Sequence, residues 1–265
     1  MPGGETKAKI ATVSVALRLE ELLARLPGTV RRGHAPPARA GRGEYLSTGI
    51  EPLDEALDGG IPRGRLSELR GSGSAGITSI ALRVAAGAIG RGEWVAWVDA
   101  ADAFDPAGSL GAGLDAESLL WVRPPDLRTA LAATEQLLVL GGFALVVLDV
   151  SPPLSRPEAE PASRRGAHPE GGRARSREAA RLAATSHPWV RLARAASRSS
   201  VALLALRRDG GESSAASLRL EMQPAEILWD RRHGAPALLE GLRARVLVRR
   251  RRGSPLPGRE IALRL

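Results

Sequence analysis

The sequence predicts an α/β fold in which a mostly parallel, twisted sheet is flanked by helices. Residues 94–99 and 143–149 have the apolar, β-rich composition of buried strands, and residues 127–140 lie between them with helical spacing. Strands buried on both faces carry such continuous apolar runs, and their alternation with helices is typical of a parallel sheet. We therefore expect one core over residues 45–265, preceded by a separate segment, residues 1–44.

A glycine-rich turn between a short strand and a helix organises this core. Leu66 and Leu69 indicate the strand, and the apolar run at residues 80–86 indicates the helix. A strand, a glycine loop and a helix in this order form the layout of a phosphate-binding P-loop, whose motif is G-x-x-x-x-G-K-[ST]. The predicted loop consists of Gly71, Ser72, Gly73, Ser74, Ala75, Gly76, Ile77 and Thr78.

The lysine position of this motif holds Ile77. Gly71 and Gly76 keep the motif's spacing, and Thr78 occupies the position of the hydroxyl that binds a metal ion. The lysine is the cation that reaches the terminal phosphates, whereas isoleucine has neither charge nor hydrogen-bond donor. The sequence therefore predicts a loop that has kept its fold and lost its chemistry. We expect no cofactor and no metal, although weak binding of ATP or another anion by the loop amides stays open.

Composition restricts the classes of function. The net charge of +9 and the pI near 11.2 favour contact with nucleic acid through its phosphates. Apart from Lys7 and Lys9, however, every basic residue is an arginine in a chain rich in Ala, Gly and Pro. A GC-rich genome would produce the same pattern, so charge alone leaves DNA contact and genome composition equally open.

The expected location is the cytoplasm, with association with the nucleoid as a further option. The chain contains no cysteine, which excludes disulfides and thiolate metal sites. No apolar run approaches the roughly 20 residues of a membrane span, and the N-terminus lacks the pattern of a secretory signal. We therefore expect no contact with a membrane.

Residues 1–44 combine an amphipathic helix with a linker. Residues 13–26 place apolar side chains at helical spacing, and residues 27–42 are rich in Pro, Gly and Arg. The helix could dock on a partner protein, or it could pack on the chain's own core, which is the simpler alternative. Its apolar stripe consists of Leu19, Leu22, Leu23 and Leu26.

A basic segment interrupts the core at residues 151–178, which are rich in Pro, Gly, Ser, Glu and Arg. A loop of this length is either functional or disordered. We expect a disordered loop whose arginines either contact DNA or reflect genome composition. The candidate contacts are Arg173, Arg175 and Arg177.

The segment that leads into the glycine loop resembles the RecA recombinase family. Residues 47–65 have the order S-T-G-x-x-x-L-D-x-A-L-x-G-G-x-P-x-G-R, and the similarity continues through the closing strands to residue 265. The resemblance implies a RecA-like P-loop core with Asp149 at the Walker B position, where it could sit near Thr78 and a magnesium ion. It also implies that no C-terminal domain follows the last strand.

The same resemblance identifies catalytic positions that have changed. It places the water-activating glutamate at Ala101, two residues after Asp99, and the sensor amide at Leu206 or Arg207. Asp102 is adjacent to Ala101, but a displacement by one residue at a strand end directs the side chain elsewhere. Loss of both the cation and the base removes several kcal/mol of transition-state stabilisation. The expected product is a pseudo-ATPase that is not an enzyme.

Two arginines match lysines that, in the RecA family, reach across the subunit interface to the neighbour's nucleotide. They are Arg250 and Arg252. They could serve a neighbouring RecA-like subunit, contact DNA, or belong to a solvated basic hairpin.

A RecA-like core with these losses, and with only residues 207–216 in place of a long second DNA-binding loop, resembles the ImuA branch of the superfamily. That resemblance implies an adaptor in the SOS response to DNA damage, acting in mutagenic translesion synthesis. Its implied partners are RecA and an ImuB-type inactive relative of Y-family polymerases, with an error-prone replicative-type DNA polymerase engaged indirectly. The main alternative is an ATP-dependent, DNA-binding recombinase paralogue. An anion-sensing regulator is a third, weaker alternative.

Overall fold

The computed structural model describes residues 44–71, 75–105, 108, 114–151, 186–208, 214–230, 238–251 and 258–264. All of them lie within one unit of the chain, Ala38–Leu265. Several sequence-based predictions concern residues outside these ranges and stay predictions. They are the helix at residues 13–26 with its docking stripe Leu19, Leu22, Leu23 and Leu26, the linker at residues 27–42, the loop residues Ser72, Gly73 and Ser74, the disordered loop predicted at residues 151–178 (all but residue 151) with Arg173, Arg175 and Arg177, and the basic residue Arg252.

Strands and helices alternate through the first two thirds of the described chain and give way to strands at its end. The elements in chain order are β1 (Tyr45–Leu46), α1 (Glu51–Ala56), β2 (Ile61–Pro62), β3 (Leu66–Gly71), α2 (Ile77–Gly90), β4 (Trp94–Asp99), β5 (Leu119–Val122), α3 (Leu127–Leu140), β6 (Phe143–Asp149), α4 (Ser186–Ser199), β7 (Ala202–Arg207), β8 (Leu218–Asp230), β9 (Leu238–Arg251) and β10 (Glu260–Arg264).

The main sheet has the strand order β10-β9-β8-β3-β7-β6-β4-β5 within the described residues. The six strands β8, β3, β7, β6, β4 and β5, which are adjacent in this order, pair in parallel. The strand β9 pairs antiparallel with both β8 and β10. The predicted mostly parallel sheet is thus confirmed. In the part of the chain that the structure describes, no helix is long and apolar enough to cross a membrane.

Helices cover both faces of the parallel part of the sheet. The helix α2 belongs to one cluster of buried apolar residues, and α3 and α4 contribute to a second cluster on the other face. All seven residues of β6 are buried as a result. This double coverage explains the continuous apolar run that predicted a parallel sheet.

The sequence motif that precedes the glycine loop forms a compact turn. The carboxylate of Asp54 accepts hydrogen bonds from the hydroxyl of Ser47 and from the backbone amide of Thr48, both at 2.7 Å. A Cβ on Gly60 would lie 2.2 Å from the carbonyl oxygen of Leu46, so only glycine fits there. These motif residues therefore fix the backbone that leads into β3.

Two elements differ from their predicted bounds. The helix α2 begins at Ile77, earlier than the apolar run at 80–86 suggests, because Gly76 adopts the left-handed conformation just before it (φ 84°). The sequence indicates a strand over residues 216–222, whereas β8 continues to Asp230, beyond Met222, which faces the last residue of β3. Its antiparallel partner β9 supports the extra length, so a two-stranded ribbon projects past the carboxyl end of β3.

Candidate functional site

The predicted phosphate loop connects the carboxyl end of β3 to the amino end of α2. Gly71 is the last residue of the strand, and Gly76 directly precedes the helix. The amide of Ile80 donates to the carbonyl oxygen of Gly76 at 3.1 Å, which starts the helical hydrogen bonding. Helix N-termini of this kind attract anions because their first amides have no partner within the helix.

The side chain at the lysine position points into the protein. Ile77 is 2% exposed and belongs to the apolar cluster beneath the sheet. Its Cγ2 atom would lie 2.9 Å from a Cβ placed on Gly71, so the two ends of the loop are in close contact. Thr78, the next residue, is partly exposed. Ile77 therefore acts as a packing residue that closes the loop against the core.

Two carboxylates end neighbouring strands at the same edge of the sheet. Asp99 and Asp149 are register partners at the ends of β4 and β6, and they are 1% and 2% exposed. Asp99 accepts hydrogen bonds from the amides of Ala103 and Phe104, at 3.0 and 3.1 Å. Through these bonds Asp99 stabilises the loop that follows β4.

Asp149 is the more perturbed of the two carboxylates. Burial raises the pKa of Asp149 above its ordinary value, and the charge of Asp99 acts in the same direction. Hydrogen bonds from Ser151, whose amide lies at 2.9 Å, and the positive charge of Arg208 oppose this rise. Asp149 therefore binds its proton more tightly than an exposed aspartate does.

The position assigned to the water-activating glutamate is apolar and buried. Ala101 is 7% exposed, and Asp102 beside it has a left-handed backbone (φ 51°). The carboxylate of Asp102 is exposed and accepts two hydrogen bonds from Arg123, at 3.0 and 2.5 Å. Asp102 thus points to the surface, as expected for a residue displaced by one position.

The two candidate positions for the sensor amide are both inside the protein. Leu206 is buried on the α2 side of the sheet, where it pairs with Asp149 and with Leu69. Arg207 is 1% exposed on the other face. Its guanidinium lies 4.7 Å from the ring centre of Trp189 in α4, a cation–π contact.

A buried charge cluster surrounds Glu68 in the central strand, and sequence reasoning did not find it. Glu68 accepts a hydrogen bond from Arg207 at 3.1 Å and another from Arg219 at 3.0 Å. Burial lowers the pKa of Arg207, while the charge of Glu68 opposes that fall. Arg70 lies 3.9 Å from the same carboxylate. The available signal was the presence of charged residues within strands of the sheet, because such groups are rarely buried unless they are paired.

The basic run in β9 is mostly neutralised within the protein. Arg249 lies 2.5 Å from Glu221, and Arg251 lies 2.6 Å from Asp58 and over the ring of Tyr45. Arg250 is partly exposed and has no carboxylate partner among the described residues. Among the described members of this run, Arg250 is therefore available to another molecule.

These features define the class of protein. A glycine loop between a central parallel strand and a helix, with carboxylates at neighbouring strand ends, is the architecture of a P-loop fold. A family model described as the RecA N-terminal domain matches residues 38–185. The chain belongs to this family.

Similarity to individual proteins is consistent with that assignment. The chain is 40% identical over 134 residues to protein RecA of Prochlorococcus marinus, a match that covers 51% of this chain and 36% of the relative. It is 38% identical over 120 residues to protein RecA of Synechocystis, covering 45% and 33%. The chain therefore spans about a third of the length of these curated relatives.

A solved structure shows the same fold over a longer stretch. The crystal structure of the RadB recombinase superposes with a TM-score of 0.55 and 22% sequence identity. The match covers 83% of this chain and 96% of that structure. It extends the likeness of fold beyond the residues that the family model matches.

Proposed function

We propose that this RecA-family chain is a catalytically degenerate adaptor of SOS mutagenesis and translesion synthesis. Its direct partners are RecA and an ImuB-type inactive polymerase relative, and it engages an error-prone replicative-type DNA polymerase through them. It works in the cytoplasm, at the nucleoid. It needs no cofactor, because its task is to present surfaces to partners.

The observation that carries this proposal is the burial of Ile77. A side chain that packs against Gly71 and the core cannot contact a bound phosphate, and it has no charge to offer one. The buried Ala101 and the surface pairing of Asp102 with Arg123 add support, because neither can activate a water molecule. A protein that keeps this fold without its catalytic groups can still bind partners through its surface, and this is the function of an adaptor.

Hydrolysis of ATP tests the proposal. We expect the purified full chain to release phosphate at the background rate, with or without single-stranded DNA. RecA in the same assay provides the positive control. Turnover that DNA stimulates and that Asp149→Ala abolishes would overturn the adaptor function and establish the recombinase alternative.

The docking part of the proposal assigns contact with RecA to the N-terminal leucine stripe. Binding to RecA would bury the side chains of Leu19, Leu22, Leu23 and Leu26. Each buried leucine would contribute about 1.5–3 kcal/mol to the free energy of binding. We expect a variant lacking residues 1–42 to stay folded and to lose retention on immobilised RecA. Changing the four leucines to serine in the full chain should give the same loss. A folded deletion variant that still binds RecA would contradict this assignment, and aggregation would indicate packing in cis.

One observation favours the recombinase paralogue as a second candidate. Asp149 stays at the carboxyl end of β6, which only β7 separates from β3, and Thr78 stays partly exposed at the start of α2. Their oxygens are of the kind that magnesium prefers, so they would hold the ion that positions a nucleotide. In that case Arg250 would contact a neighbouring subunit's nucleotide or DNA. Equilibrium dialysis with ATP separates the two candidates. The paralogue requires binding that depends on magnesium and on Asp149, whereas the adaptor binds ATP weakly through the loop amides or not at all.

A further inference from the structure

The helices α3 and α4 form a groove at the end of the sheet opposite the glycine loop. Both helices run antiparallel to the strands they cover and end just before β6 and β7 begin. Their carboxyl ends therefore share the amino-terminal edge of the sheet. The groove between them is lined by Glu135, Leu138, Val139, Arg194, Ala195 and Arg198.

Arginines at helical spacing follow one side of this groove. Arg191, Arg194 and Arg198 lie three and four residues apart on α4, so they share one face of the helix. Arg191 is bound to Glu135 across the groove, with its Nε atom 3.3 Å from Oε1. Neither Arg194 nor Arg198 pairs with a carboxylate in the described part of the chain, and both are exposed.

The groove stays positive after the helix dipoles are counted. Two helix carboxyl ends together carry about one negative charge in partial charges. Arg194 and Arg198 carry two full positive charges at the same edge. Arg198 alone would suffice to neutralise the end of α4, so the second arginine is in excess.

An exposed apolar side chain, Val139, lines the groove together with these arginines, and Leu140 follows it in the chain. Val139 is 75% exposed and Leu140 is 78% exposed, the highest values among the large apolar residues that the structure describes. They end α3 beside the groove, where Gly141 closes the helix with a hydrogen bond to Leu137. A basic face that contacts only water gains nothing from two exposed apolar side chains. A protein interface gains from them, because its centre combines apolar side chains with arginine.

We propose that this groove binds an acidic amphipathic segment of a partner protein. Carboxylates of the segment pair with Arg194 and Arg198, and an apolar side chain covers Val139 and Leu140. The segment is short, because nine residues of α4, from Arg191 to Ser199, span only about 12 Å. A nucleic-acid strand fits less well, because its bases bind by stacking on aromatic side chains and the exposed pair is aliphatic. The proposal does not depend on the adaptor function, since a hydrolysing paralogue would present the same groove.

Selection from a library of short random peptides displayed on phage tests the proposal. We expect the full chain to enrich peptides that contain at least two acidic residues and one large apolar residue. The selected peptide, labelled with a fluorophore, should bind the wild-type chain in an anisotropy titration. Absence of enrichment, or enrichment of neutral or basic peptides, would overturn the proposal.

Paired variants locate the binding. R194E/R198E should weaken binding by about tenfold or more, and V139S/L140S should weaken it by a similar factor. Replacing the acidic residues of the peptide by lysine should restore binding to R194E/R198E. The matched control is R83E/R259E, which changes the net charge equally at exposed arginines outside the groove and should bind like the wild type. Equal binding by all variants would overturn the assignment to this groove.

A labelled single-stranded oligonucleotide tests the competing ligand class in the same titration. We expect its affinity for R194E/R198E to equal its affinity for the charge-matched control R83E/R259E. If R194E/R198E abolishes oligonucleotide binding while V139S/L140S leaves it intact, the groove binds nucleic acid and the proposal is wrong.

Discussion

Ile77 shows how a single residue can decide between packing and chemistry. Its side chain is enclosed by the core and by the backbone of Gly71. Burying a side chain of this size contributes about 1.5–3 kcal/mol of stability. A lysine at the same position would have to bury its charge or leave the core, and either would weaken the contact between strand and helix.

The buried carboxylate of Glu68 gives a prediction at the same scale. Glu68→Gln removes the negative charge that faces Arg207 and Arg219, so we expect the free energy of unfolding to fall by about 3–5 kcal/mol. Urea denaturation measures this loss. Glu221→Gln is the matched control, because it breaks the exposed pair with Arg249 and should change stability little. If the two changes lowered the free energy of unfolding equally, burial of Glu68 would not be the cause of the loss.

Asp149 predicts a pH dependence. Burial raises its folded-state pKa above the ordinary value of 3.8, so the folded protein binds this proton more tightly than the unfolded chain does. Its contribution to stability is therefore complete below pH 3.8 and is lost as the pH rises through the folded-state pKa. Asp149→Asn keeps an acceptor for the Ser151 amide and cannot ionise. We expect its stability relative to the wild type to increase from acid to neutral pH in urea titrations, and a constant difference would contradict this.

At the scale of elements, Gly71 joins β3, α2 and β8. A Cβ there would lie 2.9 Å from Met222 Cβ and 3.0 Å from Ala75 Cβ, atoms attached directly to the backbone. We expect Gly71→Ala to destabilise the protein by about 1–3 kcal/mol, measured by thermal unfolding. Gly90→Ala is the control, because a Cβ at Gly90 meets nothing within 4 Å and should leave stability equal or slightly higher. Equal melting temperatures for both variants would mean that the strand and helix adjust freely.

Local patterns predicted the elements well where the periodicity was strong. The predicted helix at 127–140 and the predicted strand at 143–149 match α3 and β6 to the residue. The length of β8 was missed because pairing with β9 supports it, and such pairing is not a local signal. In the site, the motif located Ile77 but could not show where its side chain points. The Glu68 cluster was missed because its partners are distant in sequence.

At the scale of the whole molecule, exposed arginines of the strands β9 and β10 are already paired within the described residues. Arg243 binds Glu226, Arg245 binds Glu260, and Arg264 binds Glu240. Such pairing reduces the field that these arginines project toward other molecules. A net charge of +9 is therefore a poor guide to where DNA would bind.

The basic segment predicts a salt dependence. If its arginines meet DNA phosphates, neutralising Arg173, Arg175 and Arg177 together should reduce the slope of log affinity against log salt by about two for single strands. Neutralising Arg243, Arg245 and Arg264 changes the net charge equally and should reduce the slope less, because these three are paired. An unchanged slope for the first triple variant would mean that these arginines do not contact DNA and that they reflect genome composition.

The position of β3 in the sheet has a consequence for folding during synthesis. Glu68 in this strand bonds to Arg207 and Arg219, which follow it by 139 and 151 residues. Both neighbouring strands of β3 therefore leave the ribosome long after β3 itself. Contacts so distant in sequence form slowly, and the unpaired strand exposes Leu66 and Leu69 in the meantime. The central strand is thus among the last to be paired on both sides, and a chain released before residue 218 leaves it at an open edge.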